Sequence, residues 1–325
     1  MISTQVQYVI SCDWGTSSFR LRLVAAGTKS VLAESTSDQG IAATYALWQQ
    51  ASQPDRLAFY CDILQQHIRV LESICGYALT NTMILVSGMA SAQIGLKELP
   101  YQIIPLNILQ AGLATHFIPG NHFFQYNILL VSGLRSGNDV MRGEETILAG
   151  CEIKSMASEQ LFVLPGTHSK HVVVKEGKLT GFQTFMTGEI FALLAKKSIL
   201  ANSVEPGSDN VVDNAAFLKG VQDAATSNLL QALFHVRTNQ LFDVYNKYEN
   251  YEYLSGLLIG TEFKNVVPDQ YAAITIVSEG KLGAYYKSAL SIFYDPNKIT
   301  SLNAADALIS GHIALFLQST KNYNK

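Results

Sequence analysis

The sequence is short of charge: only 15% of its 325 residues are Asp, Glu, Lys or Arg, and the net charge is −3. No block of basic residues occurs, which leaves no electrostatic footprint for nucleic acid or for an anionic membrane surface. No apolar run approaches the ~20 residues that cross a bilayer. The opening "MISTQVQ" lacks both the charged segment and the apolar segment of a signal peptide. Cysteine is scarce, with Cys12, Cys61, Cys75 and Cys151 scattered and forming no CxxC. That usage suits reduced thiols in the cytoplasm. Several nucleotide and nucleophile motifs are missing as well. "EGKL" lacks the flanking residues of a Walker A loop, no GxGxxG follows a strand, and "GLRSG" misplaces its serine for a nucleophile elbow. What remains is a chain that is 48% hydrophobic, able to bury a sizeable core and long enough for two domains. The expectation is a soluble cytoplasmic enzyme with neither nucleic acid nor membrane as partner, its homo-oligomerisation left open.

Strand-like runs such as "YVISCD", "FRLRLV", "MILVSG", "LFVLPG", "KHVVVK" and "AAITIVSEG" alternate with helix-like stretches near 44–75, 143–153, 188–200, 213–234, 252–264, 281–291 and 302–317. Hairpins and helices interleaved this way predict an α/β protein with mixed sheets. The chain also echoes itself. "GTSSFRLRLV" starts at Gly15 and "GTHSKHVVVK" at Gly166, aligning Thr16 with Thr167 and Ser18 with Ser169. Each copy follows an apolar strand and leads into an alternating one, then a short turn and another strand. Two equivalent hairpins imply two related domains, with a boundary near residue 155, giving 1–155 and 156–325.

A tight turn of small residues exposes backbone N–H groups that hold anionic oxygen. Hydroxyls of Thr16, Ser17, Ser18, Thr167 and Ser169 add donors without bulk, around Gly15 and Gly166. Arg20, Lys170 and His168 supply cationic or donor groups, and Asp13 suits Mg²⁺, which takes one or two carboxylates plus phosphates and water. The pair of turns therefore predicts a clamp for a polyphosphate and phosphoryl transfer as its chemistry. His168 and His171 lack nearby Cys or carboxylate partners in the sequence, so a metal reading of "THSKH" is set aside.

"DWGTSSFR" and "PGTHSK" resemble the two phosphate motifs of the actin-like ATPase fold. "VSGMASAQIGLKELPY", "NDVMRGEETILAG", "VLPGTHSKHV", "TFMTGE" and "EYLSGLLIGTE" extend the resemblance along almost the whole chain, to bacterial 2-dehydro-3-deoxygalactonokinases. The resemblance implies two actin-like, ribonuclease H-like domains with a nucleotide cleft between them. It also implies MgATP-dependent phosphorylation of 2-dehydro-3-deoxy-D-galactonate at its terminal hydroxyl, in galactonate breakdown. A kinase for another sugar or keto acid, and a non-catalytic sensor on the same fold, are the alternatives.

Within that resemblance, the anchor for the attacking hydroxyl falls at a helix start before the second hairpin, on Glu144 or Glu145, and the sequence leaves both open. A keto-acid substrate calls for a carboxylate clamp, for which Arg142 is the candidate. Ser91 and Gln93, in a loop after a strand end, are expected at sugar hydroxyls, and Glu189 is a further substrate-binding candidate. The adenosine motif of the superfamily corresponds to "IVSEGKL", placing Ser278, Glu279 and Gly280 at the nucleoside, with Glu279 where relatives carry a small residue.

Overall fold

The first apolar run becomes β1 (Tyr8–Trp14), buried along nearly its whole length because it is sandwiched within a sheet. It pairs antiparallel with β2 (Phe19–Ala25) and parallel with β4 (Met83–Gly88). β3 (Ser30–Ser37) lies outside β2 and alternates between exposed and buried residues, as a strand covered on one face does. The sheet order is β3-β2-β1-β4-β8-β7, with β7 at Thr115–Ile118 and β8 at Ile128–Val131. Short strands β5 (Gln102–Ile103), β6 (Leu106–Asn107), β9 (Leu134–Arg135) and β10 (Val140–Met141) lie in the loops of this region. These observations come from a computed structural model that describes residues 7–52, 54–108, 112–153, 158–207, 215–267 and 270–323.

The helix expected over 44–75 is two helices, α1 (Ile41–Gln50) and α2 (Arg56–Cys75). Pro54 cannot continue a helix, and Asp55 starts a new one by accepting a hydrogen bond from Ala58 N. α2 presents Tyr60, Leu64, Ile68 and Leu71 on one face to Ile10, Cys12, Leu21 and Leu23 of the sheet.

The second half repeats the plan. β11 (Gln160–Leu164), β12 (Ser169–Lys175) and β13 (Lys178–Phe185) form an antiparallel meander. β14 (Ala273–Ser278) joins β11 in parallel and β15 (Ile299–Asn303) joins β14 in parallel. The order β13-β12-β11-β14-β15 mirrors β3-β2-β1-β4-β8 strand for strand, a duplicated arrangement of an α/β fold with mixed sheets. α4 (Thr187–Lys197), α5 (Ala215–Thr226), α6 (Leu229–Leu241), α7 (Lys247–Phe263) and α8 (Leu282–Leu290) complete this part. α5 and α7 pack at close range because Gly256 abuts the Phe217 carbonyl. Among the described residues, no helix is long and apolar enough to cross a membrane.

The chain divides into two compact units, Met1–Glu152 with Ala305–Lys325, and Ile153–Ala304. The cut expected near residue 155 lies close to the 152/153 division, and residues 305–325 group with the first unit. The last helix, α9 (Ala304–Tyr323), returns to the first unit, where Ser11 Oγ meets His312 Nδ1 at 2.8 Å and Lys29 Nζ donates to Ser310 Oγ. It docks on α3 (Glu144–Ala149) at a glycine contact: a Cβ on Gly311 would lie 2.0 Å from the Thr146 carbonyl oxygen. Gly311→Ala should therefore lower the unfolding free energy of the first unit by about 1–3 kcal/mol, read as a lower denaturant midpoint at unchanged slope.

Candidate active site

The first phosphate-type turn is held from behind. Trp14, fully buried at the end of β1, donates its Nε1–H to the Gln39 carbonyl at 3.2 Å. This brings residues 39–42 against the turn, where Ile41 N donates to Gly15 O (2.9 Å) and Ala42 N to Thr16 O (3.1 Å). The first amides of α1, which have no partner within their own helix, are satisfied by the turn's carbonyls. Gly40 makes the approach feasible, since a Cβ there would stand 2.4–2.5 Å from Thr16 O and the Ser17 and Ser18 nitrogens. With its carbonyls engaged on this side, the turn leaves Thr16, Ser17 and Ser18 exposed on the other. Asp13 and Arg20, half-buried, stand opposite one another across β1 and β2.

The second turn is held the same way. Glu189 N donates to Thr167 O at 3.0 Å, and a Cβ on Gly188 would meet Gly166 O at 2.5 Å. Thr167 and His168 are exposed here. Two expectations need correction at this turn. The Ser169 side chain is fully buried and donates to Glu262 Oε1 at 2.6 Å, so its hydroxyl braces the turn and does not face a phosphate. Lys170 is 4% exposed and its Nζ reaches back to the His168 carbonyl, so its ammonium is not presented to solvent. Glu189 belongs to the second unit and pairs with His168 Nε2 at 2.5 Å; Ser91, Gln93 and Arg142 belong to the first.

Glu262, near the end of α7, ties the second turn together. Its Oε1 takes Ser169 Oγ and His171 Nε2, and its Oε2 accepts from Thr187 Oγ1 and Tyr286 Oη, at 2.5–2.7 Å. Burial pushes this carboxyl upward, but the hydrogen bonds and charge of His171, with those of Ser169 and Thr187, outweigh it and hold it below the ordinary value. One carboxylate thus joins β12, the start of α4 and α8. The sequence signal was a lone acidic residue at the end of the apolar run "LSGLLIGTEF".

Beside Glu262 and the second turn lies a cavity of about 230 Å³. Gly166, Thr187 and Gly188 line it near the turn; Phe191, Leu258, Ile259 and Leu282 supply apolar walls; Tyr251, Glu252, Ser255, Tyr285 and Tyr286 complete it. The expected nucleoside residues do not line this cavity. Ser278, Glu279 and Gly280 form the turn from β14 into α8, with Gly280 at φ +63° and Glu279 exposed, and the cavity is lined by the α8 residues that follow.

In the first unit, Gly143 (φ +114°) packs its Cα face on Gly88, which in turn abuts Trp14 at the end of β1. This stacking sets the start of α3 beside the ends of β1 and β4. Arg142 there is clamped by its neighbours: Nη1 donates to Ser91 O (2.7 Å) and Ser91 Oγ (2.5 Å), Nη2 to Leu99 O (3.3 Å). Its guanidinium carbon stands 4.1 Å from the centre of the Tyr101 ring, and its enclosed Nε has no partner. Ser91 is fully buried and serves Arg142, which corrects its expected role at a sugar hydroxyl. Gln93 is exposed, its carbonyl accepting from Arg56.

Glu144 and Glu145 differ sharply. Glu144 is half-buried, with Oε2 accepting from Arg142 N at 3.0 Å. Glu145 is 0% exposed, both its oxygens accepting from Gly143 N (2.9 and 2.8 Å) and Oε1 also from Thr146 Oγ1. Burial, reinforced by the Glu144 charge, pushes the Glu145 carboxyl up to about 8. Among the described residues, no cluster of three or more His, Cys, Asp or Glu side chains forms a metal cage.

The sequence model of the 2-keto-3-deoxy-galactonokinase family matches residues 13–315. A Rhizobium meliloti protein assigned as a 2-dehydro-3-deoxygalactonokinase, DgoK1, is 33% identical over 296 residues, covering 88% of this chain and 90% of the relative. The 2-dehydro-3-deoxygalactonokinase of Escherichia coli K12 is 33% identical over 216 residues, 64% of this chain and 70% of that protein. A crystal structure of a protein assigned as a 2-dehydro-3-deoxygalactonokinase, from Sinorhizobium meliloti, superposes with a TM-score of 0.78 at 30% identity, covering 94% of this chain and 95% of that one.

The raised Glu145 carboxyl generates a prediction. Folding holds a proton on Glu145 that the unfolded chain releases near its ordinary value of 4.5, so its contribution is fully present below that pH and is lost as pH rises through about 8. Thermal melts of Glu145→Gln and the parent protein should be closest near pH 5 and diverge toward pH ~8.5, the variant becoming the more stable. Parallel curves across that range would refute the assignment.

Proposed function

The chain belongs to the 2-keto-3-deoxy-galactonokinase family, a family of ATP-using sugar-acid kinases, and from that premise we propose that it phosphorylates 2-dehydro-3-deoxy-D-galactonate at its terminal hydroxyl. The observation that carries the substrate class is Arg142. Its guanidinium is fixed by two neutral carbonyls, a neutral hydroxyl and an aromatic face, with no carboxylate among the described residues pairing with it. A half-buried cation held only by neutral oxygens is preorganised for an anion, and a planar guanidinium matches a carboxylate.

In this reading Glu144 takes the proton of the attacking hydroxyl. It is the accessible member of the pair, and its orientation is fixed by the Arg142 amide. Glu145, enclosed and satisfied by Gly143 and Thr146, holds the helix start. The hydroxyl oxygen bonds to the γ-phosphorus, the bond to the β-bridging oxygen breaks, the proton passes to Glu144, and ADP leaves. The first turn offers the exposed Thr16, Ser17 and Ser18 hydroxyls to phosphate oxygens, with Gly15 shaping the turn and Arg20 flanking it. The second offers Thr167 and His168 around Gly166, with Glu189 orienting His168. Asp13, a single half-buried carboxylate at a strand end beside those hydroxyls, fits Mg²⁺, which is ordinarily held by one or two carboxylates and completed by substrate phosphates. When bound, Mg²⁺ would neutralise charge developing on the phosphates.

A coupled ADP-release assay with MgATP and a panel of sugar acids, glycerol and hexoses tests this reading. Turnover is expected on 2-dehydro-3-deoxy-D-galactonate, and turnover confined to another panel member would discard the substrate. Glu144→Gln should lower kcat by about 10²–10⁴-fold with little change in the KM for ATP. Arg142→Lys should raise the sugar-acid KM by about 10–100-fold and leave the ATP KM near that of the parent.

A further inference from the structure

The cavity beside the second turn contains an incomplete polar group. Glu252 on α7 is 8% exposed, and its Oε1 accepts from Tyr285 Oη at 3.1 Å. Its Oε2 is enclosed and has no hydrogen-bond partner. Burial accordingly pushes the Glu252 carboxyl above its ordinary value, with the Tyr285 hydrogen bond opposing. The cavity around it is walled by apolar side chains such as Phe191 and Leu258 and is lined also by Gly166 of the second turn and Gly188 of α4.

We propose that Glu252 is a nucleotide-recognition residue whose Oε2 accepts a hydrogen bond from a donor group on the nucleoside part of ATP. The inference rests on the kinase reading, because phosphates gripped at the Gly166 turn bring the nucleoside into this cavity. A carboxylate with one oxygen already occupied by a phenol accepts only. Leaving the second oxygen buried without a donor is costly, so a ligand that supplies an N–H or O–H is favoured over one that presents a carbonyl or nothing. In a partly apolar cavity, a fixed acceptor of this kind sets orientation and specificity. ATP offers two kinds of donor away from its phosphates, the ribose hydroxyls and the exocyclic amine of the base.

Equilibrium binding without the sugar acid distinguishes them, using calorimetry with MgATP, 2′-deoxy-ATP, 3′-deoxy-ATP and inosine triphosphate, which carries a carbonyl in place of the amine. For the parent protein, removing the donor that meets Glu252 should weaken binding by about ten-fold or more, whereas the other analogues bind like ATP. Glu252→Gln, with its amide oxygen kept on Tyr285, turns an N–H toward the ligand donor. It should weaken ATP by a similar factor and abolish the discrimination. Tyr285→Phe leaves Oε2 in place and should preserve discrimination. Equal binding of all four nucleotides to the parent overturns the proposal, as does a Glu252→Gln protein that still discriminates. If the variant fails to fold, the analogue series on the parent and on Tyr285→Phe decides alone. Absence of all nucleotide binding to the parent would overturn both this inference and the kinase reading, whereas tight but Glu252-independent binding would overturn this inference only.

Discussion

Both small-residue turns depend on one interaction: the first free amides of a helix donate to the carbonyls of the turn, across a glycine that has no room for a side chain. A loop of small residues has many backbone conformations, and fixing each residue costs about 1–2 kcal/mol. Ala42 N on Thr16 O, and Glu189 N on Thr167 O, offset that cost with hydrogen bonds the helices need in any case. The arrangement also sorts the turn's groups. The Gly15, Thr16 and Thr167 carbonyls are taken by helix amides, while the Thr16, Ser17, Ser18 and Thr167 side chains are exposed and Ser169 alone turns inward. The internal echo therefore extends past the small-residue motif to the helix behind it, with the Ala42 and Glu189 amides as equivalents.

The two halves diverge in what lies beneath this shared device. In the first unit Trp14 fills the space under the turn and its indole N–H captures the Gln39 carbonyl. In the second, a polar network on Glu262 does so, reaching Ser169, His171, Thr187 and Tyr286. An apolar brace is insensitive to its surroundings. A buried carboxylate with four donors is demanding, because removing one partner from such a group costs several kcal/mol. It ties α8 and α4 to the turn, and the adjoining cavity is walled by those same helices and α7.

The sheet order and the turns were legible because they depend on local signals: period-two alternation, apolar runs, and glycine with small hydroxyl residues between strands. The roles of individual hydroxyls were not. Ser18 and Ser169 occupy equivalent positions in the echo, yet Ser18 is exposed and Ser169 is buried against a carboxylate 93 positions away. Ser91 likewise reads as a loop hydroxyl until Arg142, 51 positions on, folds over it. The return of α9 to the first unit rests on Gly150 and Gly311, whose meaning appears only when the helices meet. Glu144 and Glu145 are neighbours of one residue type, separable only by which of them the helix start encloses.

Buried polar groups left incomplete separate ligand sites from structural compromise. His312 leaves Nε2 unpartnered, but burial and the nearby Arg22 push its imidazole down to about 3, so it is neutral and the missing partner is a modest loss. Arg142 cannot take that escape, because a guanidinium keeps its charge, and among the described residues it donates to neutral oxygens. Glu252 escapes only partly, its carboxyl raised yet tied to a phenol donor. These two groups carry opposite needs, one for an anion and one for a donor. In the proposed reading a sugar acid meets the first need and a nucleoside the second; Trp48 Nε1, Ser87 Oγ and Asn250 Oδ1 are also buried without a partner among the described residues and are given no such role. Preorganising such groups before the ligand arrives lowers the reorganisation needed on binding, at a cost in stability that the apolar cores around Trp14 and Phe217 offset.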